Sequence, residues 1–327
     1  MPLLLTEADV RGILTMPLAM ELVETSFRRL TEGSAVCHPR RRLRMAEKGL
    51  MNYMAASDFA GGYMGLKIYT VSPNGVRFVV PLFNAKSGEL CALIEADYLG
   101  QMRTGAASGV ATRVLARADA RTVAIIGTGL QSRTQLEAVT LGRQLEVVRA
   151  FGRNRERREK FAKDMTARLD VPVAAVESAE EAVRGADIVI TSTTASKPVV
   201  HGSWLRPGAH INAIGSNFAE KQELDADAVN RCDVIAADLV EQSKMEAGDL
   251  IQAFGPDASR WASVRELAEI VAGKAPGRTN RDQITLFKSN GIAIEDVVVG
   301  GRIYELARER GIGKEVPMWQ DSASAEA

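Results

Sequence analysis

Basic side chains lie in three segments of the first third of the sequence that are otherwise typical of strands and helices. Arg41 lies in the strand-like run PRRRLR, Lys67 lies in the apolar run MGLKIY, and Arg103-Thr104 begins a stretch of small residues with helical spacing. A cation inside an apolar element costs several kcal/mol unless it is paired. A ligand carboxylate is a suitable partner, and for Arg41 or Lys67 an internal salt bridge is equally suitable. The three segments therefore indicate a candidate anion site.

A glycine-rich loop follows the apolar segment TVAII. Gly127, Gly129 and Ser132 form the pattern G-x-G-x-x-S, with Thr128 between the glycines, after a predicted strand and before a predicted helix. Such glycines allow the backbone to approach a pyrophosphate, and the helix N-terminus presents unpaired N–H groups to it. The loop predicts a dinucleotide site, and the alternative interpretation is a tight glycine turn without a ligand.

The end of the second predicted parallel strand favours one form of the cofactor. The segment AFGRNR contains Arg153 and Asn154 and no acid, whereas NAD enzymes usually carry Asp or Glu there for the ribose hydroxyls. A guanidinium group suits a 2′-phosphate by charge and geometry. We therefore favour NADP(H), keep NAD(H) as an alternative, and expect Arg153 and Asn154 to bind the cofactor. The plainer alternative is that Arg153 begins a solvated helix face.

Two different sequence patterns position these residues. Short apolar runs between residues 34 and 97, separated by turn signals, predict an antiparallel meander. From Arg121 onward six near-continuous apolar runs, with a seventh candidate at 283–287, alternate with helical stretches. That alternation is typical of buried parallel strands in a doubly wound sheet. The predicted fold class is therefore α/β, with a Rossmann-type doubly wound parallel sheet plus an α+β domain that contains an antiparallel sheet.

Composition excludes several classes of protein. The 327 residues include 41 basic and 41 acidic side chains, so the formal net charge is zero. A nucleic-acid-binding protein would need a net basic surface, although arginine supplies 30 of the 41 basic residues. The three cysteines and three histidines show no metal spacing, so we expect no metal. No apolar run approaches 18 residues, so we expect a cytoplasmic protein without a membrane partner.

Eight motifs are spread over nearly the whole chain. They are PRRRLR, GLMNYMA, GLKIYTVSPN, QMRTGAASGVAT, IGTGLQSRTQLEA, ADIVITSTTASKPV, INAIGSNFAEKQELD and LFKSNGIAIEDV. Together they resemble the ornithine cyclodeaminase/mu-crystallin family. The resemblance implies a homodimer built through the antiparallel N-terminal sheet, and a discontinuous substrate domain. We accordingly expect residues 1–117 with about 300–327 to form the substrate-binding and dimerisation domain, and residues 118–299 to form the dinucleotide-binding domain.

The resemblance also implies roles for individual residues. Arg41, Lys67 and Arg103 match the family's carboxylate-binding cations, and Thr104 follows as in its arginine-threonine motif. The other matches lie in the pyrophosphate loop (Gly127, Gly129, Gln131, Ser132), in a segment that borders the cofactor (Thr191, Ser192, Thr193, Thr194) and in a turn beside the nicotinamide (Ser289, Asn290, Gly291).

Two asparagines depart from the cyclodeaminases that the chain resembles. Asn217 stands where those enzymes carry a catalytic aspartate, and Asn52 stands where they carry a glutamate. Releasing ammonia from ornithine requires a group that exchanges a proton, and an amide does not titrate. Asn217 is therefore expected to orient a substrate or donate a hydrogen bond, and the alternative is a loop-turn residue.

These observations predict an NAD(P)-dependent oxidoreductase that interconverts an α-imino acid and an α-amino acid by hydride transfer at Cα. Lys67, Arg103 and Asn217 are the expected catalytic residues, with Arg41, Asn52, Thr104, Asn290 and Gly291 as further substrate contacts. The alternatives are ornithine cyclodeaminase and a non-enzymatic binding protein of the mu-crystallin type. Cyclic ketimines, iminosuccinate, and pyruvate with ammonia or an alkylamine remain candidate substrates.

Overall fold

Two sheets organise the chain, and each belongs to a separate unit. The computed structural model describes residues 1–318 apart from Glu47, Asn74 and Ser216. The first unit comprises Met1–Arg103 together with the chain from Ile292 onward, and the second unit comprises Thr104–Gly291. The boundaries expected from the sequence, after residues 117 and about 299, lie further along the chain than these divisions. Residues 319–327 of the expected first domain lie outside the described residues.

The first unit is a mixed sheet with helices. Its elements are β1 (Leu3–Leu5), α1 (Glu7–Ile13), α2 (Met16–Glu32), β2 (Ala35–Cys37), β3 (Arg41–Arg44), β4 (Leu50–Asp58), β5 (Tyr63–Ser72), β6 (Gly75–Asn84), β7 (Leu90–Glu95), the start of α3 (Asp97–Leu115), α12 (Ala293–Arg310) and β16 (Lys314–Glu315). The strand order is β16-β1-β7-β6-β5-β4-β2, and β3 also pairs with β4. The predicted antiparallel meander from β4 to β7 is confirmed, whereas the parallel β1–β7 pairing was not predicted.

Local sequence signals explain where the first helices begin and end. Thr6 caps α1 in a capping box with Asp9, which satisfies N–H groups that the helix itself leaves unpaired. α2 begins beside Pro17 and ends at Gly33, whose φ of 73° is a left-handed conformation that glycine adopts without strain. These local signals therefore explain where α1 begins and where α2 ends.

The C-terminal helix packs on one face of the first sheet. α12 contacts β4, β5 and β6, and in β4 and β5 alternate side chains are buried. Met54 of β4 and Lys67 of β5 are direct cross-strand neighbours on this buried face. The strand alternation therefore directs Lys67 into the interior between the sheet and α12.

The second unit contains a parallel sheet with helical connections. Its elements are the rest of α3, β8 (Thr122–Ile126), α4 (Leu130–Gly142), β9 (Val147–Phe151), α5 (Arg155–Leu169), β10 (Val173–Ala175), α6 (Ala179–Val183), β11 (Ile188–Thr191), β12 (His210–Ala213), α7 (Ala226–Asn230), β13 (Val234–Ala237), α8 (Val240–Glu246), α9 (Gly248–Phe254), α10 (Ala258–Ala262), β14 (Arg265–Glu266), α11 (Leu267–Val271) and β15 (Thr285–Lys288). The strand order is β10-β9-β8-β11-β12-β15-β13-β14, and every pairing is parallel.

This topology confirms the predicted doubly wound sheet, including the seventh strand at β15. The short strand β14 was not predicted from the sequence. The chain proceeds from β8 to β10 in one direction and then returns to place β11 on the other side of β8. The order therefore reverses between β8 and β11, and ligands of open α/β sheets bind at the carboxyl ends of the strands where such a reversal occurs.

The interior of the second unit contains a polar network around His210 among apolar strands. Every residue of β11, β12, β13 and β15 is buried. The imidazole of His210 lies 2.9 Å from the hydroxyl of Thr285 and 3.2 Å from Oδ1 of Asn212. The amide of Asn212 donates to the hydroxyl of Thr112 at 2.9 Å. Burial lowers the pKa of His210 to about 3, so the imidazole is neutral in the folded protein.

Candidate functional site

A buried cluster of opposite charges occupies the interior of the first unit. The ammonium group of Lys67 lies 2.7 Å from Oδ1 of Asp296, and the guanidinium group of Arg103 lies 2.8 Å from Oε2 of Glu295. The Nε atom of Arg103 is also 3.3 Å from Oδ1 of Asp296. All four side chains are at most 7% exposed. The structure therefore brings two of the sequence-predicted cations together and pairs them with carboxylates of α12.

Three elements position this cluster. Lys67 projects from the buried face of β5, Arg103 lies in α3, and the two acids lie in the first turn of α12, where the helix dipole favours negative charge. A Cβ atom on Gly100 would lie 3.0 Å from the ammonium nitrogen, so glycine leaves room for the lysine head group. Lys67 also lies 4.9 Å from the ring centroid of Phe78.

The electrostatics of the cluster suit proton transfer. Burial, together with the positive charges of Arg103 and Arg40, lowers the pKa of Lys67 to about 8, while Asp296 opposes this shift. A lysine with this pKa exchanges a proton near neutral pH, whereas an ordinary lysine does not. The Oδ2 atom of Asp296 is buried and has no hydrogen-bond partner within the described residues. A ligand N–H group beside Lys67 would satisfy this acceptor.

The arginine-rich run PRRRLR places other side chains on the face of Lys67 than those expected from the sequence. In the β3–β4 pairing Arg42 lies opposite Asn52, and its Nε atom donates to Oδ1 of Asn52 at 3.2 Å. Asn52 is on the same face of the sheet as Lys67, and strand alternation puts Arg40 and Arg42 on that face. Arg41 is exposed on the opposite face, whereas Arg40 is 6% exposed. The structure therefore places Arg40, and not Arg41, on the face that carries Lys67, because the register of β3 assigns the two faces the other way round from the sequence expectation.

The glycine loop of the second unit has the geometry of a phosphate cradle. Gly127 has a φ of 110° and directly follows β8, and a Cβ atom there would lie 2.2 Å from the carbonyl oxygen of Ser192. Gly129 caps the N-terminus of α4, where it leaves the first N–H groups without a side-chain partner. The hydroxyl of Ser132 is buried without a hydrogen-bond partner in the described chain. These features fit a dinucleotide pyrophosphate, which accepts hydrogen bonds from such groups.

The neighbouring predicted cofactor residues lie in two distinct settings. Thr128 and Gln131 are half-buried in the same loop and helix. Arg153 and Asn154 are exposed just after β9, and the side chain of Asn154 accepts a hydrogen bond from the backbone of Arg157 at 2.8 Å. Asn154 therefore caps α5, while Arg153 extends into solvent at the tip of the second strand.

The segment after β11 is attached to a buried glutamate. The hydroxyl of Thr191 and the backbone N–H of Thr193 donate to Glu223 at 2.8 and 2.7 Å, and the half-buried Ser192 lies between them. The N–H of Gly215 donates to the same carboxylate at 2.8 Å. The structure thus connects the ends of β11 and β12 through a residue that the sequence analysis did not identify.

A second buried acid organises the turn at residues 289–291. One oxygen of Asp238 accepts hydrogen bonds from the hydroxyl of Ser289 and from the N–H groups of Asn290 and Gly291, at 3.1, 2.8 and 2.5 Å. The carbonyl of Gly291 accepts from Gln242 at 2.9 Å. Asp238 therefore supports the shape of this turn at the carboxyl end of β15.

The remaining predicted residues are in the second unit. Thr104 follows Arg103 within α3 and is half-buried, and its carbonyl accepts a hydrogen bond from Gln135 at 3.0 Å. Asn217 is half-buried in the loop after β12. Lys67, Arg103 and Asn52 belong to the first unit, whereas Asn217, Asn290 and Gly291 belong to the second.

Several residues of these networks were not predicted from the sequence. Glu295 and Asp296 were detectable as adjacent acids in the first turn of a predicted helix, although that pattern is also an ordinary helix start. Glu223 lies in a loop without a recognisable pattern. Among the described residues, no cluster of three potential metal ligands is present, and no helix has the length and apolarity needed to cross a membrane.

The second unit has a Rossmann-type sheet with a glycine-rich loop at its switch point, and the first unit has a buried cluster of paired charges. These features define a class of α/β proteins that bind a dinucleotide. The chain belongs to the ornithine cyclodeaminase/mu-crystallin family, and the sequence model of that family matches residues 1–311.

Relatives within this family include reductases and dehydrogenases. The chain is 36% identical over 261 residues to a Delta(1)-pyrroline-2-carboxylate reductase of Bacillus cereus, which covers 77% of this chain and 80% of the relative. The solved Thermococcus litoralis Delta(1)-pyrroline-2-carboxylate reductase, in complex with NADH and L-proline, is 37% identical with a TM-score of 0.92, and the match covers 96% of this chain and 100% of that one. A solved archaeal alanine dehydrogenase dimer with bound NAD is 33% identical with a TM-score of 0.92, covering 97% and 99%.

Proposed function

We propose that the protein is an NAD(P)-dependent reductase that interconverts an α-imino acid and an α-amino acid. The observation that carries this proposal is the buried Lys67, which pairs with Asp296 near the charge of Arg103 and has its pKa lowered to about 8. The glycine loop at Gly127 supplies the second requirement, a dinucleotide site. The relatives named above act on imino or amino acids with the same cofactor class, which supports the proposal.

Each residue of the charged cluster has a role in this reaction. Arg40 and Arg103 bind the substrate carboxylate and orient the Cα atom. A reduced nicotinamide held by the glycine loop would supply the hydride that this carbon accepts. Lys67 donates a proton to the imine nitrogen, so that the C=N bond becomes a CH–NH bond. Asp296 accepts a hydrogen bond from the same nitrogen through its open Oδ2 atom.

Asn217 favours reduction over cyclodeamination. Ammonia release from a diamino acid requires a group that gains and loses a proton during turnover. Asn217 carries an amide after β12 and does neither, although it donates or accepts hydrogen bonds. The proposal therefore assigns Asn217 to orienting the substrate, together with Asn290.

NADP(H) is the proposed form of the cofactor. The tip of β9 carries the exposed Arg153, and residues 150–155 contain no acid that would bind a ribose 2′-hydroxyl. Arg153→Ala is expected to weaken NADPH binding by roughly 10-fold and NADH binding by much less, because only NADPH has the 2′-phosphate. Equal changes in the two dissociation constants would show that Arg153 has no such role.

A cyclic ketimine or a short open-chain imino acid is the proposed substrate. The pyrroline carboxylate reductases are similar to this chain over most of its length. The face that carries Lys67 also carries Arg42 and Asn52, and the Nδ2 atom of Asn52 is buried without a hydrogen-bond partner in the described chain. An acceptor on the substrate side chain would bind there, so iminosuccinate remains in the panel of substrates.

The test is a substrate panel followed by cofactor absorbance. The purified protein receives NADPH or NADH with pyrroline-2-carboxylate, pyruvate plus ammonium, pyruvate plus an alkylamine, and oxaloacetate plus ammonium. Cofactor oxidation that requires the imino acid is the expected result. Ammonia release from ornithine, with no oxidation on any imino acid, would contradict the proposal and favour a cyclodeaminase.

We also propose a homodimer formed through the sheet of the first unit. An apolar cavity of about 420 Å³ is lined by side chains of β2, β4, β5 and β6, among them Val36, Ala55, Met64, Leu66 and Phe83. A second copy would bury this surface, in agreement with the archaeal alanine dehydrogenase dimer. Leu66→Glu is expected to convert a dimer into a monomer in analytical ultracentrifugation, and a monomeric wild type would contradict the proposal.

A further inference from the structure

A completely buried glutamate connects the strand ends of the second unit. Oε2 of Glu223 accepts hydrogen bonds from the hydroxyl of Thr191 and the N–H of Gly215, and Oε1 accepts from the N–H of Thr193. The side chain is 0% exposed. All three donors point at one carboxylate, so Glu223 joins the segment after β11 to the segment after β12.

Further contacts hold Glu223 in one place. Oδ1 of Asp249 accepts hydrogen bonds from the N–H groups of Glu223 and Leu224 at 2.6 and 2.9 Å. The carbonyl of Glu223 accepts from the N–H groups of Val199 and Val200. Lys288, the last residue of β15, lies 2.8 Å from Asp249, and both side chains are 0% exposed. Its positive charge counteracts the raised pKa that burial gives the Glu223 carboxyl.

The position of this network relates it to the dinucleotide site. β11 is adjacent to β8, and Ser192 lies between the two threonine partners of Glu223. The carbonyl of Ser192 is the atom that a Cβ on Gly127 would strike. The segment that Glu223 holds after β11 therefore passes beside the glycine loop, although Glu223 itself lies outside the glycine motif.

We propose that Glu223 is a positioning residue for the nicotinamide half of the cofactor, acting through the segments that it holds after β11 and β12. In a doubly wound fold the first half, here β8 to β10, binds the adenosine portion, and the second half meets the remaining portion. The ends of β11 and β12 belong to that second half. This role rests on the proposed function, because it requires a nicotinamide dinucleotide.

An amide in place of the carboxylate breaks the network selectively. Glu223→Gln keeps one carbonyl oxygen, but its NH2 group faces N–H or O–H donors and accepts nothing. The variant retains the size of the side chain, so the change is confined to the charge and the hydrogen bonds of the carboxylate. Thr191→Val removes the single hydroxyl donor and serves as a second, milder variant.

The experiment compares two ligands by calorimetric or fluorescence titration. ADP-ribose, or its 2′-phosphate if NADPH is preferred, contains the adenosine and pyrophosphate portions, whereas NAD(P)H adds the nicotinamide. For Glu223→Gln we expect an ADP-ribose dissociation constant within about twofold of wild type and an NAD(P)H constant raised roughly 10-fold or more, as for loss of charge-assisted hydrogen bonds. Thr191→Val should raise the NAD(P)H dissociation constant by a smaller factor. At saturating cofactor, kcat should fall in both variants.

Asp225→Asn is the matched control. Asp225 also accepts backbone hydrogen bonds, from Gly202 at 3.1 Å and Ala228 at 2.7 Å, and it does not contact residues 191–193 or 215 through these bonds. This variant should have a lower thermal stability, but the ratio of its dissociation constants for ADP-ribose and NAD(P)H should stay as in the wild type. Equal weakening of both ligands in Glu223→Gln, or no weakening in either variant, would overturn the positioning role. A wild-type protein that binds ADP-ribose and NAD(P)H with the same affinity would instead overturn the proposed function.

Discussion

At the scale of single residues, the chemistry is concentrated in buried charges. Lys67 and Arg103 both lie within ion-pair distance of Asp296, and all three side chains are nearly inaccessible to solvent. Breaking a buried pair leaves an uncompensated charge and is strongly destabilising. The cluster therefore combines a structural pairing with groups that a small carboxylate or amine would recognise.

The pKa of Lys67 gives a prediction for the pH dependence of reduction. Lys67 loses its proton as the pH rises through about 8, so kcat/KM in the reductive direction should fall above that pH. Asp296 raises this pKa, so Asp296→Asn should move the falling limb to lower pH. The pH profile of kcat/KM for both proteins is the measurement. An identical limb in both would show that another group controls it.

The placement of Arg40 and Arg41 gives a second prediction. Arg40 is buried beside Lys67, whereas Arg41 is exposed on the other face. Arg40→Gln should raise KM for the imino acid roughly 10- to 100-fold, the cost of one charge-assisted hydrogen bond. Arg41→Gln should change KM far less. Steady-state kinetics of the two variants are the measurement. A larger rise in KM for Arg41→Gln than for Arg40→Gln would support the expectation that Arg41 binds the substrate.

At the scale of elements, strand ends and helix starts position the groups. β8 delivers Gly127 to the start of α4, β11 and β12 end at partners of Glu223, and β15 ends at the turn held by Asp238. Parallel strands bring all these ends to one edge of the sheet. The first unit works differently, because strand alternation and the first turn of α12 position its cluster.

Gly127 permits a test of the strand–loop–helix element. Gly127→Ala places a Cβ against the Ser192 carbonyl and imposes a φ of 110° that alanine rarely adopts. The dissociation constant of NAD(P)H should rise by at least about 10-fold, because strain and displacement both disturb the cradle.

Gly12→Ala is the control for this variant. Gly12 lies in α1 with nothing near its Cβ position, so alanine should preserve or slightly raise the melting temperature and leave NAD(P)H binding unchanged. Wild-type affinity in Gly127→Ala would contradict the cradle assignment.

At the scale of the whole molecule, arginine serves structure as well as ligands. Arg278 donates to the carbonyls of Leu115 and Ala209 at 2.7 and 3.1 Å, and Arg143 donates to the carbonyls of Thr112 and Ala116 at 2.9 and 3.0 Å. Leu115 and Ala116 lie at the C-terminal end of α3, where cationic donors satisfy carbonyls that the helix leaves open and interact favourably with its dipole. Part of the arginine excess is thereby explained without a ligand.

The buried His210 predicts how the folded state responds to acid. Its pKa is lowered to about 3, so between its ordinary value of 6.5 and 3 the unfolded chain binds a proton that the folded protein does not. Unfolding is then favoured as the pH falls, and this residue alone should remove about 2 kcal/mol of stability at pH 5 relative to pH 7. Denaturant unfolding at both pH values measures this difference. His210→Gln should show a smaller loss, and an unchanged loss would contradict the assignment.

Sequence patterns were sufficient for the regular parts of the fold. The apolar runs from Arg121 onward predicted the parallel strands because both faces of those strands are buried, and the glycine loop was recognisable because only glycine permits its backbone geometry. Thr6 and Gly33 marked helix ends through local hydrogen bonds and a left-handed φ. Local chemistry therefore determined the elements, the cofactor loop and the presence of buried cations.

Only the tertiary structure decided which partners those cations have. The contacts of Lys67 with Asp296 and of Arg103 with Glu295 join residues about 200 positions apart, and no local pattern encodes such a pairing. The choice between Arg40 and Arg41 depended on the register of β3 against β4, since a slip of one residue exchanges the two faces of a strand. Glu223 could be recognised only once β11 and β12 were placed side by side, because it joins the ends of these two strands.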